Sequence, residues 1–320
     1  MSEFDPAAHR NRHPAFFAKT VTRSQATSAG VVFSMICILT TSLTATAAQE
    51  AGPAAERPIP AGNGQEKADI DGVPLQVFTY RPAGCPVSGL LLVFHGLDRN
   101  AADYRSDAVS LAQRLCRLVA APLFDNARFP TWRYQHGGIV HGGVVQPASD
   151  WTVNLVAHLA AQIRREESRP DLPYAMIGHS AGGQFLSRVA AFGQDQATQI
   201  VIANPSTWVR PSLDVAAPYG FGGVYPPGPG EAALRRYLAA PVTVLLGQDD
   251  VGSRNLASTE EAEAQGDTRL ERGRTVFREA EQTAREHGWP FNWRLAIVPG
   301  VGHSAARMFN SEQALAALRP

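Results

Sequence analysis

Hydrophobic and polar positions recur along this chain with two different periods, and the switching between them predicts its layout. Residues 73–80 alternate with period two, as a strand with one covered face does. The run GLLLVF at 89–94 is apolar throughout, the pattern of a strand covered on both faces. Apolar positions spaced by three and four then predict a helix over 101–116. The same switching continues with strand 118–123, helix 150–167 capped by Ser149 or Asp150, strand 174–177, helix 181–192 and strand 199–203. Helix 231–238, strand 242–246, helix 270–287, strand 294–298 and helix 312–318 follow. Strands alternating with helices of this length imply a mostly parallel central sheet with helices on both faces.

Two connections break the rhythm. Residues 125–148 and 204–230 mix aromatics with Gly and Pro, and loops of this length inside a compact domain either serve function or lack order. Their aromatic content argues against simple disorder, so as a set Trp132, Tyr134 and Trp208 are candidate walls of a substrate pocket, with core packing as the alternative for each one.

The N-terminus has a different character. Arg10, Arg12, Lys19 and Arg23 precede a short apolar run at 31–39, which a Thr/Ala-rich stretch follows. That order is a signal peptide over 1–48, cut after Ala47 or Ala48, with an uncleaved anchor as the alternative. The run is too short to span a bilayer, which takes ~20 apolar residues, so a secreted or periplasmic chain without stable membrane insertion is expected. Residues 49–64, rich in Pro, Gly and Ala, are read as a flexible lead-in, and 65–320 as a single catalytic domain.

Composition adds one exclusion. Lys+Arg and Asp+Glu are equal at 29 each, so the basic excess of a nucleic-acid partner is missing. Cys37 would leave with the signal. Cys85 and Cys116, each just ahead of a predicted strand, leave two arrangements open: a disulfide, or two buried free thiols.

The candidate chemistry begins at Gly178-His179-Ser180-Ala181-Gly182, which matches G-x-S-x-G with a strand running in and a helix running out. In that setting the turn exposes the Ser180 hydroxyl as a nucleophile. A serine hydroxyl needs a base, and in this arrangement the chain order is Ser, acid, His, each beyond a strand. His303 follows the last strand in PGVGHS, and Asp249 and Asp250 follow strand 242–246. An oxyanion hole would take one N–H from Ala181, the residue after the nucleophile. His136 and His141 lack a Cys or carboxylate to complete a coordination set, so no metal is expected. No G-x-G-x-x-G fingerprint is present, and the chemistry asks for no cofactor.

The segments FHGLDRNAADY, GHSAGGQF, LLGQDD and PGVGHS, in order between about residues 87 and 308, resemble the α/β-hydrolase superfamily. Within it the chain is similar to secreted esterases akin to polyhydroxyalkanoate depolymerases and feruloyl or acetylxylan esterases. The resemblance implies an acid three residues after Gly247, which selects Asp250 and leaves Asp249 as the alternative. It implies an HG-x loop whose Leu97 N–H is the second oxyanion donor. His95 then braces that loop beside the pocket. The expected activity is hydrolysis of a small-molecule or polymeric ester. An amidase or peptidase with the same triad, and a non-catalytic binding module on this scaffold, are the alternatives.

Overall fold

The computed structural model describes residues 58–194 and 196–319; the segment read as an export signal lies outside them, as does most of the lead-in. In chain order these residues form β1 (Gly62–Ile70), β2 (Val73–Arg81), β3 (Gly89–Phe94), α1 (Ala101–Asp107), α2 (Val109–Leu115), β4 (Arg117–Leu123), β5 (Val140–His141), β6 (Val144–Val145) and α3 (Asn154–Glu166). There follow β7 (Tyr174–His179), α4 (Ala181–Phe192), β8 (Gln199–Ala203), α5 (Pro227–Ala239), β9 (Val242–Gly247), α6 (Glu260–Glu263), α7 (Arg269–His287), β10 (Arg294–Val298), α8 (Ala305–Phe309) and α9 (Glu312–Leu318).

Eight strands make one sheet in the order β1-β2-β4-β3-β7-β8-β9-β10, and β5 pairs with β6 in a separate hairpin. β2 runs antiparallel to β1 and β4; the remaining neighbours are parallel. Every residue of β3, β7 and β9 is buried, because helices cover both faces of the sheet there. Successive side chains point to opposite faces. Leu90, Leu92 and Phe94 therefore join Leu159, Phe185, Val189 and Val276 of α3, α4 and α7 in one core. Leu91 and Val93 join Leu111, Met308, Phe309 and Leu315 of α2, α8 and α9 in the other. Each such side chain contributes about 1.5–3 kcal/mol by leaving water.

Three details differ from the expected layout. First, β1 begins at Gly62, inside the stretch read as a flexible lead-in, and pairs with β2 over its full length. Its sequence GNGQEKADI is too polar for an apolar pattern, and backbone pairing at the sheet edge holds it. Ile59, just before it, is buried and donates its N–H to Glu167 Oε1 at 2.8 Å. Second, the helix expected over 101–116 divides at Ala108, which ends α1 and precedes α2. Ser106 and Asp107 lie at that break, and such short polar side chains compete for the helical backbone. Third, α3 starts at Asn154, after a single 3-10 turn at Ala148–Asp150. Neither Ser149 nor Asp150 caps it; the Ser149 hydroxyl donates to Asp150 Oδ1 at 2.9 Å.

Cys85 and Cys116 form a disulfide with Cα atoms 5.9 Å apart, tying the approach to β3 to the approach to β4. Among the described residues no helix is long and apolar enough to cross a membrane. The parallel direction of β3, β7, β8, β9 and β10 brings their carboxyl ends to one edge of the sheet. The residues that follow each strand meet there.

Candidate active site

Strand β7 ends at His179, Ser180 makes the turn, and α4 begins at Ala181. Ser180 has φ 58° and ψ −117°, a conformation that costs a non-glycine residue on the order of 1–3 kcal/mol. Surrounding contacts hold it there: its N–H donates to Ala203 O at 3.0 Å, and its carbonyl accepts from Gln184 N–H at 2.9 Å. Three glycines let the neighbouring strands close in. A Cβ on Gly182 would lie 2.2 Å from the Phe94 carbonyl oxygen and 2.8 Å from that of His95. One on Gly178 would lie 2.6 Å from Gly182 O, and one on Gly183 would lie 2.7 Å from Ala203 O. The first turn of α4 is thus pressed against the exit of β3, with the loop at 95–97 beside it.

The ends of β9 and β10 supply the other two groups. His303 Nε2 lies 3.0 Å from Ser180 Oγ, and His303 Nδ1 lies 2.7 Å from Asp250 Oδ2. The Asp250 side chain is 1% exposed and that of His303 30%, so the carboxylate is shielded while the imidazole faces solvent. Asp249, the alternative acid, is exposed, and its backbone N–H donates to Val301 O at 2.9 Å. The structure therefore brings Ser180, His303 and Asp250 together and leaves Asp249 outside. A hydroxyl in line with an imidazole that a carboxylate orients can lose its proton as it attacks an electrophilic carbon. The N–H groups of Ala181 and Leu97 meet no hydrogen-bond partner among the described residues. Ala181 also sits at the positive end of the α4 dipole.

The pocket expectations need correction at three of four positions. His95, Tyr134 and Trp208 are fully buried and cannot line an open pocket. His95 Nδ1 donates to Gly96 O at 2.9 Å, and Nε2 accepts from Phe124 N–H at 3.1 Å. Burial pushes its pKa down to about 4, so the ring is a neutral brace for the loop. The Tyr134 hydroxyl donates to His95 O at 2.8 Å, extending the same brace. Gln265 clamps Trp208, accepting from its N–H at 2.9 Å and donating to its carbonyl at 3.2 Å. Trp132 lines a groove of about 940 Å3 together with Arg133, Trp151, His158 and Tyr225. No triad residue lines that groove.

The two loop histidines are also placed. His141 stacks on Trp132 with centroids 4.2 Å apart, and His136 packs edge-on to Tyr219 at 5.6 Å. No group of three or more His, Cys, Asp or Glu able to hold a metal occurs among the described residues. Two further residues neighbour the triad: His179, which belongs to the G-x-S-x-G motif, and Arg269, which no local sequence signal marks. His179 lies 4.5 Å from the His303 ring and is fully buried; burial holds it well below its ordinary range, so it stays neutral. Arg269, at the start of α7, places Nη1 3.5 Å from Asp250 Oδ1.

No family model matches the chain, and no curated protein does. Solved structures do. A poly(3-hydroxybutyrate) depolymerase from Bordetella parapertussis is 31% identical over 81% of this chain and 96% of its own, with a TM-score of 0.71. A poly(aspartic acid) hydrolase from Sphingomonas sp. KT-1 is 31% identical over 80% of this chain and 99% of its own, with a TM-score of 0.74.

Proposed function

The chain belongs to the α/β-hydrolase superfamily, and from that premise we propose that it hydrolyses carboxylic esters through an acyl-enzyme on Ser180. His303 Nε2 takes the hydroxyl proton as Ser180 Oγ attacks the ester carbonyl. Asp250 holds the imidazole by its Nδ1–H and offsets the charge that forms on it. The N–H groups of Ala181 and Leu97 receive the oxyanion of the tetrahedral intermediate. Collapse expels the alcohol, which takes the proton from His303. Water, deprotonated by the same imidazole, then releases the acid and restores Ser180. The line of contacts from Ser180 through His303 to Asp250, 3.0 and 2.7 Å long, carries this reading.

The two relatives differ in the bond their names imply: a polyester for one, a poly(amino acid) for the other. The second favours an amidase with the same triad as the rival reading. We take the ester as substrate because an alcohol leaves more readily than an amine, so a triad that cleaves amides cleaves activated esters as well. The test is kcat/KM on p-nitrophenyl acetate and butyrate, a p-nitroanilide, poly(3-hydroxybutyrate) and poly(aspartic acid). Because activated esters react in either case, the polymers decide: turnover of poly(3-hydroxybutyrate) above that of poly(aspartic acid) is expected, and the reverse order would establish the amidase. Ser180→Ala is expected to lower kcat on the esters by on the order of 10^4 to 10^6, with the fold intact. Wild-type rates in that variant would sink the Ser180 mechanism, and failure of Ser180 to react with a fluorophosphonate would favour a binding module.

We also propose export. The order of basic, apolar and small residues over 1–48 and the Cys85–Cys116 disulfide support it, since such bridges persist in oxidising compartments.

A further inference from the structure

Arg269 sits where elementary electrostatics disfavours it. It is the first residue of the 19-residue helix α7, at the positive end of that helix's dipole, and its side chain is 1% exposed. A second guanidinium, Arg272, is buried one turn along and adds like charge. Burying a cation without compensation is costly, so the groups that meet Arg269 explain its presence. Its Nη2 donates to Arg254 O at 2.7 Å and its Nη1 to Gly252 O at 3.3 Å. Both carbonyls belong to the loop that leaves Asp250. Two carbonyls alone leave the net charge of a buried guanidinium without a counter-ion. The charge has one counterpart among the described residues, the Asp250 carboxylate, 3.5 Å away and equally buried.

The two oxygens of that carboxylate are divided. Oδ2 faces His303 Nδ1 at 2.7 Å, and Oδ1 faces Arg269 Nη1. A planar fork holding one oxygen and two carbonyls of the same loop fixes the rotation of the carboxylate about its Cβ–Cγ bond. The imidazole then meets one orientation of its partner. Resting on the triad assignment made above, we propose that Arg269 is a positioning residue that locks Asp250 toward His303 and offsets the charge of that carboxylate.

The effect expected on removing the Arg269 charge follows from the groups around His303. Asp250 favours the imidazolium and Arg269 opposes it. The other groups near the imidazole are Ser180 from the turn after β7 and the neutral His179 from the end of β7. Tyr104 of α1 lies behind His179, its hydroxyl 3.3 Å from His179 Nδ1 and held protonated by burial. Behind Arg269 stand Arg272 and, acting on it, Glu263 and Asp267. The field of Arg269 reaches this cluster: burial chiefly, then His303 and Arg269, hold His179 neutral. Removing the Arg269 charge leaves Asp250 unopposed, stabilises the His303 imidazolium, and moves the pH at which the neutral base appears upward.

The experiment is a pH profile of kcat/KM on a p-nitrophenyl ester for the full chain and for Arg269→Met, Arg269→Gln and Arg269→Lys, each with its Tm. In the two neutral variants the acid limb is expected to rise by about one pH unit, the scale of a nearby like charge removed. kcat should fall while KM changes little, and Arg269→Lys should return the limb toward its original position. A limb that stays in place in a folded neutral variant overturns the proposal and leaves Arg269 a loop anchor. So does the failure of both neutral variants to fold. The triad reading is judged separately: if Ser180→Ala keeps its rate, that reading fails whatever Arg269 does. If Ser180→Ala is inactive and the limb does not move, only the role of Arg269 fails.

Discussion

The turn around Ser180 and the loop shell at 124–139 hold their side chains by opposite means. At the turn, side chains are absent: Gly178, Gly182 and Gly183 let three strand ends and the first turn of α4 approach until no Cβ fits. In the loop shell, side chains fill the space. The ring of Phe124 lies 5.0 Å from Phe129, 5.0 Å from Tyr134 and 5.2 Å from Phe185, and Arg99 sits 4.6 Å above Tyr134. Exclusion tolerates no addition, whereas packing tolerates exchange at a graded cost. Three experiments separate the two regimes, in falling order of effect.

The largest is Gly182→Ala. Its new methyl meets backbone, which cannot rotate away, at 2.2 Å from Phe94 O, so a loss above about 3 kcal/mol or outright failure to fold is expected. Gly142, at the tip of the β5–β6 hairpin, is the control. Its φ is 57° but nothing lies within 4 Å of a Cβ there, so Gly142→Ala carries only the left-handed backbone penalty, about 1–2 kcal/mol. Urea unfolding of both variants measures the difference. Equal losses would show that crowding does not define the turn.

Acid probes both regions at once, because each holds imidazoles that burial keeps neutral. His95, braced by the loop shell, is pushed down to about 4, His136 to about 3, and His179 at the turn well below its ordinary value. In the unfolded chain these rings titrate near 6.5. Below that pH the unfolded state binds protons that the folded state refuses. The stability is thus fully present above about pH 6.5 and declines as pH falls toward the folded values. Each ring loses about 1.4 kcal/mol per pH unit on the way down. Denaturant unfolding at pH 8 and pH 5 is expected to differ by on the order of 2 kcal/mol per buried histidine, and His95→Gln should flatten its share of the slope. A level profile between those pH values would mean that the rings are open to water.

The same contrast explains what the sequence made legible. Gly178 to Gly183 are neighbours in the chain, so the steric demands of the turn appear as a local motif. His303 was placed by its position beyond β10, and the pair Asp249 and Asp250 by theirs beyond β9, because the parallel sheet brings strand ends to one edge; the family resemblance alone selected Asp250 from that pair. The burial of His95, Tyr134 and Trp208 was not legible. Each is covered by residues far away in sequence, such as Gln265 on Trp208, and aromatic loop residues read alike whether they line a pocket or fill a core. Strand β1 was missed for a related reason: backbone pairing with β2 forms it, and GNGQEKADI carries no apolar pattern. Arg269 was hidden because the partner that explains it, Asp250, lies on another element, and nothing in RLERGR marks that arginine among its neighbours.

The smallest effect tests whether the loop shell acts on the turn at all. Tyr134→Phe keeps the stacked ring and removes only the hydroxyl that donates to His95 O at 2.8 Å. A buried carbonyl left without its donor costs about 1–3 kcal/mol, and a shift of that size in urea unfolding is expected. His95 belongs to the loop that carries the Leu97 N–H, so the brace also governs how firmly that N–H is aimed. A loosened brace should lower kcat more than it raises KM, because an oxyanion donor acts on the transition state rather than on the bound ester. If stability falls while kcat and KM both hold, the shell is packing alone. The turn then keeps its geometry through its own crowding, without help from the loops around it.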